Sequence, residues 1–201
     1  MKSDCYDRYI GCSPNYEHGN LYSKRLKEFF DIEKLSIFTE TGTYHGNGVL
    51  WALRQQNFKK IYSTEILTSN YNKVINTFKD SKTPVNLYNL DTLVFLNDNL
   101  QLFQEPTLFF LDAHGGNGNE FGTNAWYSVP LVHELSLIYD KFYNLKNLLI
   151  VIDDVRLFDS EKPNDWEPSI FFQIIKESKN RGLISLYLDD SLILCDPCWV
   201  L

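Results

Sequence analysis

Three observations in the sequence predict an α/β fold built on a mostly parallel sheet. Short apolar runs alternate with stretches whose apolar residues recur at helical spacing. The last two strand candidates are joined only by Asp189 to Ser191, too short for a crossover helix, so they form an antiparallel hairpin at the sheet edge. The chain has 201 residues, 44% of them hydrophobic and 15% aromatic, enough to fill a core without disulfides or metal.

The elements follow in order. Leu26, Phe29 and Phe30 repeat at helical spacing in a helix over Ser23–Phe30, ahead of a first strand at Ser36–Thr39. A glycine-rich turn leads into a helix over Gly48–Gln56, then a strand at Ile61–Thr64. A serine or threonine cap opens a helix over Ser69–Lys79, before a strand at Val85–Tyr88 and a short helix over Thr92–Asn97. The strand Thr107–Leu111 comes next, then a helix over Pro130–Tyr139 with Leu131, Leu135 and Ile138 on one face. The strand Leu148–Ile152 precedes a helix over Glu167–Lys179 that carries Ile170, Phe171, Ile174 and Ile175. Strands Ile184–Leu188 and Leu192–Cys195 make the hairpin. The first five strands are apolar with little alternation, as parallel strands covered on both faces by helices should be. No repeat, low-complexity tract or linker interrupts the chain, which reads as one domain over residues 1–201.

A net charge of −7 with scattered Lys and Arg argues against nucleic acid as the main partner. No run reaches membrane-spanning length and no signal-peptide core is present, so no membrane partner is expected and the location reads as cytoplasmic. Cys5 and Cys12, with Cys195 and Cys198 in "CDPC", suit either a zinc site joining the two ends or four reduced thiols. The thiols are preferred, because the first spacing is long for zinc.

Ligands of open parallel sheets bind beyond the carboxyl ends of the strands. After strand one, "ETGTYHGNG" has Glu40 at its mouth and Gly42, Thr43, Gly46 and Gly48 within it. It is not GxGxxG, and it lacks the lysine of a phosphate loop. Glu65 follows strand two, near the distance at which an acid grips a ribose diol. Asn89 and Asp91 follow strand three; Asp91 suits an adenine amino group or a plain helix N-cap. Asp112 and His114 follow strand four, and Asp153, Asp154 and Arg156 follow strand five. Three aspartates on one rim repel unless a proton or cation relieves them, which a magnesium ion would do. Arg156 is read as the partner of a neighbouring aspartate.

"FTETGTYHGNGVLWAL", "IYSTEI", "FFLDAHGG" and "VIDDVRLF" together resemble class I S-adenosylmethionine-dependent methyltransferases, within them the O-methyltransferases of the macrolide-sugar and catechol types. The resemblance spans Phe38 to the C-terminal hairpin. It implies a Rossmann-like core over residues 36–201, with residues 1–35 as a helical extension on the substrate side. It implies that Glu40, Thr41, Gly42, Thr43, Tyr44 and Gly46 face the methionine part of the donor. Glu65 would hold the ribose, Asp91 would meet the adenine, and Asp112 would stand near the methionine ammonium and the acceptor. Metal-using relatives imply magnesium, or manganese, on Asp112, Asp153 and Asp154, with Asp154 catalytic through that metal. No lysine follows strand four as in some relatives, so His114 or Asp112 is the candidate base.

The expected reaction is methyl transfer to a hydroxyl of a small molecule or glycan, with a sugar first and a phenol second. Gly115–Asn124 would form a lid, and Trp126, Tyr127 and Trp166 a stacking wall, whereas Trp51 reads as core packing. A homodimer is compatible with all of this. Asp112-Ala113-His114 also has the form of a glycosyltransferase metal element, but that leaves Glu40 and Glu65 without work. A nicotinamide oxidoreductase is weakened by the missing GxGxxG, and a non-catalytic binding protein by the intact acidic rim.

Overall fold

The computed structural model describes residues 24–113, 130–142, 144–159 and 168–201. Their strands are β1 (Ile37–Thr41), β2 (Lys60–Thr64), β3 (Val85–Tyr88), β4 (Thr107–Leu111), β5 (Leu148–Ile152), β6 (Ile184–Leu188) and β7 (Ser191–Cys195). They form one sheet in the order β3-β2-β1-β4-β5-β7-β6. The pairings from β3 to β5 are parallel, and β7 runs antiparallel to both β5 and β6.

Both faces are covered, and adjacent residues of one strand serve opposite cores. Phe38, Leu108, Leu149 and Ile193 enter one cluster with Leu26 and Phe30 from the first helix, α1 (Lys24–Phe29), and its end. Val49 and Trp51 of α2 (Asn47–Gln55) and Val74 of α3 (Thr68–Val74) complete that face. Ile37, Phe109, Ile150 and Leu194 enter the other cluster. There they meet Phe95 of α4 (Thr92–Asn99), Leu135 and Ile138 of α5 (Leu131–Lys141), and Ile174 of α6 (Pro168–Asn180). Each fully buried side chain of this size contributes about 1.5–3 kcal/mol. Trp51 packs against Phe38 and Phe58 at 5.9 and 6.0 Å between ring centroids, as ordinary core.

Most boundaries shift by a residue or two, and three of the differences have a clear physical reason. β1 continues through Glu40 and Thr41, because Ser63 and Thr64 extend the ladder beside them. α3 stops at Val74 rather than Lys79. Val74, Ile75, Asn76 and Thr77 are poor helix formers in a row, and the Thr77 N–H turns to the Val74 carbonyl at 2.9 Å, which brings Phe78 into the core. β7 begins at Ser191, leaving Asp189, with φ +53°, and Asp190 as a two-residue turn.

Register aligns the strand ends. Thr41 lies opposite Thr64 on one side and Leu111 on the other, and Leu111 lies opposite Ile152. The residues that follow, Gly42, Glu65, Asp112 and Asp153, therefore form one row along the carboxyl edge. The strand order reverses between β1 and β4, so the middle of that row is the switch point.

Candidate functional site

The β1–β2 half of the row is held together by internal hydrogen bonds. Glu40 lies within β1 and only 2% of it is exposed, so it stands behind the glycine turn rather than at its mouth. Ser63 Oγ donates to Glu40 Oε2 at 2.6 Å, and the Thr43 hydroxyl meets Ser63 Oγ at 2.6 Å. Since Ser63 has one proton and Glu40 takes it, Thr43 is the donor in the second bond. A Cβ on Gly48 would lie 1.8 Å from Glu40 Oε1, so this glycine makes room for the acid under the start of α2. Burial pushes the Glu40 carboxyl well above the usual range, and the nearby charges of Asp112 and Glu65 push it the same way.

Gly42 has φ +87°, and a Cβ there would come within 2.7 Å of the Asp112 carbonyl oxygen. Its N–H and that of Thr43 both reach the Thr64 carbonyl at 3.0 Å. Tyr44 follows with φ +44°, a left-handed backbone that costs a non-glycine residue about 1–2 kcal/mol. Glu65 compensates, since its Oε2 accepts the Tyr44 N–H at 2.8 Å while Oε1 accepts that of Leu67 at 2.8 Å. Burial raises the Glu65 carboxyl, and these backbone donors oppose the rise.

On the β3 side, Asp91 caps α4 by accepting from Leu93 N–H at 2.8 Å and Val94 N–H at 3.4 Å. Asn89 braces the neighbouring loop, its amide donating to the carbonyl of Glu65 at 2.7 Å.

The β4–β5 half is crowded instead. Asp153 is 3% exposed; its N–H reaches the Leu111 carbonyl at 3.2 Å, and Oδ1 accepts from Ser191 Oγ at 3.2 Å. Burial and the charges of Asp112 and Asp154 carry its carboxyl from 3.8 to about 7. Asp154, at φ +57°, turns to Arg156, whose Nη1 lies 2.5 Å from Oδ1. Arg156 also pairs with Asp190 of the hairpin turn. The expected pairing of Arg156 is therefore present. That pair engages Oδ1 of Asp154, one of the three aspartates expected for magnesium or manganese. Among the described residues, no group of three His, Cys, Asp or Glu side chains is arranged to hold a metal.

One acid in this neighbourhood escapes the sequence reading. Glu134 of α5 is 1% exposed; its Oε1 accepts from Thr92 Oγ1 at 2.7 Å, and the Thr41 side chain also acts to lower the carboxyl. Burial, with the charges of Asp91 and Asp112, raises it to about 7. The signal was an acid on the apolar stripe of Leu131, Leu135 and Ile138.

His114, Gly115–Asn124, Trp126, Tyr127, Trp166, Cys5 and Cys12 lie outside the described residues. Cys195 is buried and Cys198 exposed, both as free thiols, and burial pushes Cys195 up to about 12. Among the described residues no helix is long and apolar enough to cross a membrane.

No protein-family model and no curated protein matches the chain. Solved structures do. A Streptococcus mutans protein described as a methyltransferase, in complex with S-adenosylhomocysteine, matches with TM-score 0.55 and 14% identity, over 85% of this chain and 93% of its own. A Bacillus cereus O-methyltransferase, also with S-adenosylhomocysteine, matches with TM-score 0.54 and 17% identity, over 81% of this chain and 74% of its own. A Staphylococcus aureus protein described as a caffeoyl-CoA O-methyltransferase matches with TM-score 0.53 and 13% identity, over 81% and 76%. At such identity the likeness speaks for the fold. With its strand order, its reversed hairpin and helices on both faces, the chain has the Rossmann-like class I methyltransferase fold.

Proposed function

We propose that the chain is an S-adenosylmethionine-dependent O-methyltransferase acting on a hydroxyl of a sugar or glycan. The observation that carries this reading is the row Gly42, Glu65, Asp112 and Asp153 at the switch point, acidic where a phosphate-binding fold would be basic. The donor carries a sulfonium and an ammonium, and carboxylates complement both. The fit is supported by Gly42, whose missing Cβ lets the turn close against the Asp112 carbonyl, and by Glu65, held beside that turn by its bond to the Tyr44 N–H. Two similar structures hold S-adenosylhomocysteine, one of them and a third being described as O-methyltransferases, which supports the same donor and an oxygen acceptor.

When bound, the donor supplies a methyl group already activated by its sulfonium. The residues then have two tasks, alignment and proton removal. The glycine turn and Glu65 hold the donor against the sheet edge, where good alignment supplies on the order of 7 kcal/mol. Asp153, raised to about 7 beside Asp112, is suited to take the acceptor proton near neutral pH. The bases expected from the sequence were Asp112 and His114, and His114 lies outside the described residues.

The test incubates the chain with methyl-labelled donor and a panel of monosaccharides, oligosaccharides and catechols. Label on a sugar hydroxyl is the expected result. Label on catechols alone would move the acceptor to the phenolic class. Stabilisation by uridine diphosphate with manganese, but not by S-adenosylhomocysteine, would replace the reading with a glycosyltransferase.

A further inference from the structure

We propose that Glu134 is a positioning residue of the donor pocket, one buried carboxyl that clamps the methionine end and the adenine end to each other. The inference rests on the methyl-donor reading above. Glu134 occupies the first turn of α5, on the stripe where Leu131, Leu135 and Ile138 are buried. A leucine there would extend the apolar contact, whereas a carboxyl must be desolvated, which is unfavourable unless hydrogen bonds offset it.

The bonds that offset it lead to both ends of the pocket. In one direction the Thr41 side chain acts on the Glu134 carboxyl, lowering it against the rise from burial, and Thr41 Oγ1 accepts the main-chain N–H of Asp112 at 3.3 Å. The same N–H reaches the Thr41 carbonyl at 3.2 Å. In the other direction Thr92 Oγ1 donates to Glu134 Oε1 at 2.7 Å. Thr92 is the first residue of α4, next to the Asp91 that caps it. Glu134 therefore joins the ends of β1 and β4 to the start of α4, through hydroxyls whose geometry it sets. It touches no reacting atom in this arrangement and works through Thr41, Asp112 and Thr92.

Amide hydrogen exchange and S-adenosylhomocysteine titration of the full chain test the clamp together. Glu134→Ala is expected to speed exchange about tenfold at the amides of Asp112 and Leu93 and to weaken S-adenosylhomocysteine about tenfold. Glu134→Gln keeps an acceptor for Thr92 and a donor towards Thr41, and is expected to restore both readouts to within about threefold. Should the alanine variant fail to fold, Thr92→Val removes one hydroxyl at constant shape, a smaller loss than the whole carboxyl, and is expected to lower affinity several-fold. Exchange and affinity unchanged in Glu134→Ala, or affinity unchanged in Thr92→Val, would overturn the clamp. Absence of S-adenosylhomocysteine binding by the unaltered chain would overturn the donor reading instead, a different failure that the exchange arm tells apart.

Discussion

The two halves of the carboxyl edge carry acids of the same type in opposite circumstances. On the β1–β2 side, Glu65 accepts the Tyr44 and Leu67 N–H groups, which oppose the rise that burial imposes on its carboxyl. On the β4–β5 side, Asp153 has one serine donor for its carboxyl and two aspartates as neighbours, and Asp154 needs an arginine. Acids satisfied by fixed donors act as struts for the backbone around them. Acids crowded by like charge hold protons near neutrality and are fit to exchange them. The contrast divides the row into a part that holds the donor and a part that handles the acceptor's proton.

The strongest way to break the first half is through Gly42. Gly42→Ala adds a Cβ 2.7 Å from the Asp112 carbonyl oxygen at φ +87°. It is expected to lose about 3 kcal/mol in denaturant unfolding, from backbone strain plus the clash. Gly182, at φ +78° with open space around it, is the control, and Gly182→Ala should lose only about 1 kcal/mol. Equal losses would mean that close packing at the switch point does not matter.

Next in size is Glu65→Ala, which leaves two N–H groups without their acceptor and removes the expected ribose contact. S-adenosylhomocysteine affinity is expected to fall about 10- to 100-fold by calorimetry, or roughly 1.4–2.8 kcal/mol. Asp153→Asn should leave that affinity within about threefold and suppress turnover. Reversed outcomes would exchange the roles of the two halves.

The crowded half also has a pH signature. Glu134 and Asp153 rise from 4.5 and 3.8 in the open chain to about 7 in the fold. The folded chain therefore binds more protons between those values. The stability from these groups is fully present below the unfolded values and is lost as pH rises through 7. The melting temperature is expected to be higher at pH 5.5 than at pH 8, with a smaller difference in Asp153→Asn. A difference unchanged by that substitution would contradict the assignment. The smallest effect belongs to Arg156→Ala, which breaks an exposed pair and should change stability by no more than about 1 kcal/mol.

Much of this was legible in the sequence. The apolar runs of the parallel strands and the three-residue link before Leu192 pointed to the sheet and its hairpin. The strand-end rule placed Glu65, Asp112 and Asp153, and Asp91 was readable as a cap. What escaped depended on partners distant in the chain. Glu40 reads as a lip residue until Ser63 extends the ladder past it and Gly48 opens a space beneath α2. Arg156 reads as the partner of a neighbouring aspartate, and its second partner Asp190 comes only with the hairpin. Glu134 reads as an incidental charge on an apolar stripe until Thr41 and Thr92 converge on it.

The central claim is that this acidic row receives a sulfonium methyl donor, and calorimetric titration of the chain with S-adenosylhomocysteine tests it most directly. Saturable binding at one site per chain, weakened by Glu65→Ala and left nearly unchanged by Asp153→Asn, is the expected result. No heat of binding across temperatures and pH values at which the chain remains folded would contradict it.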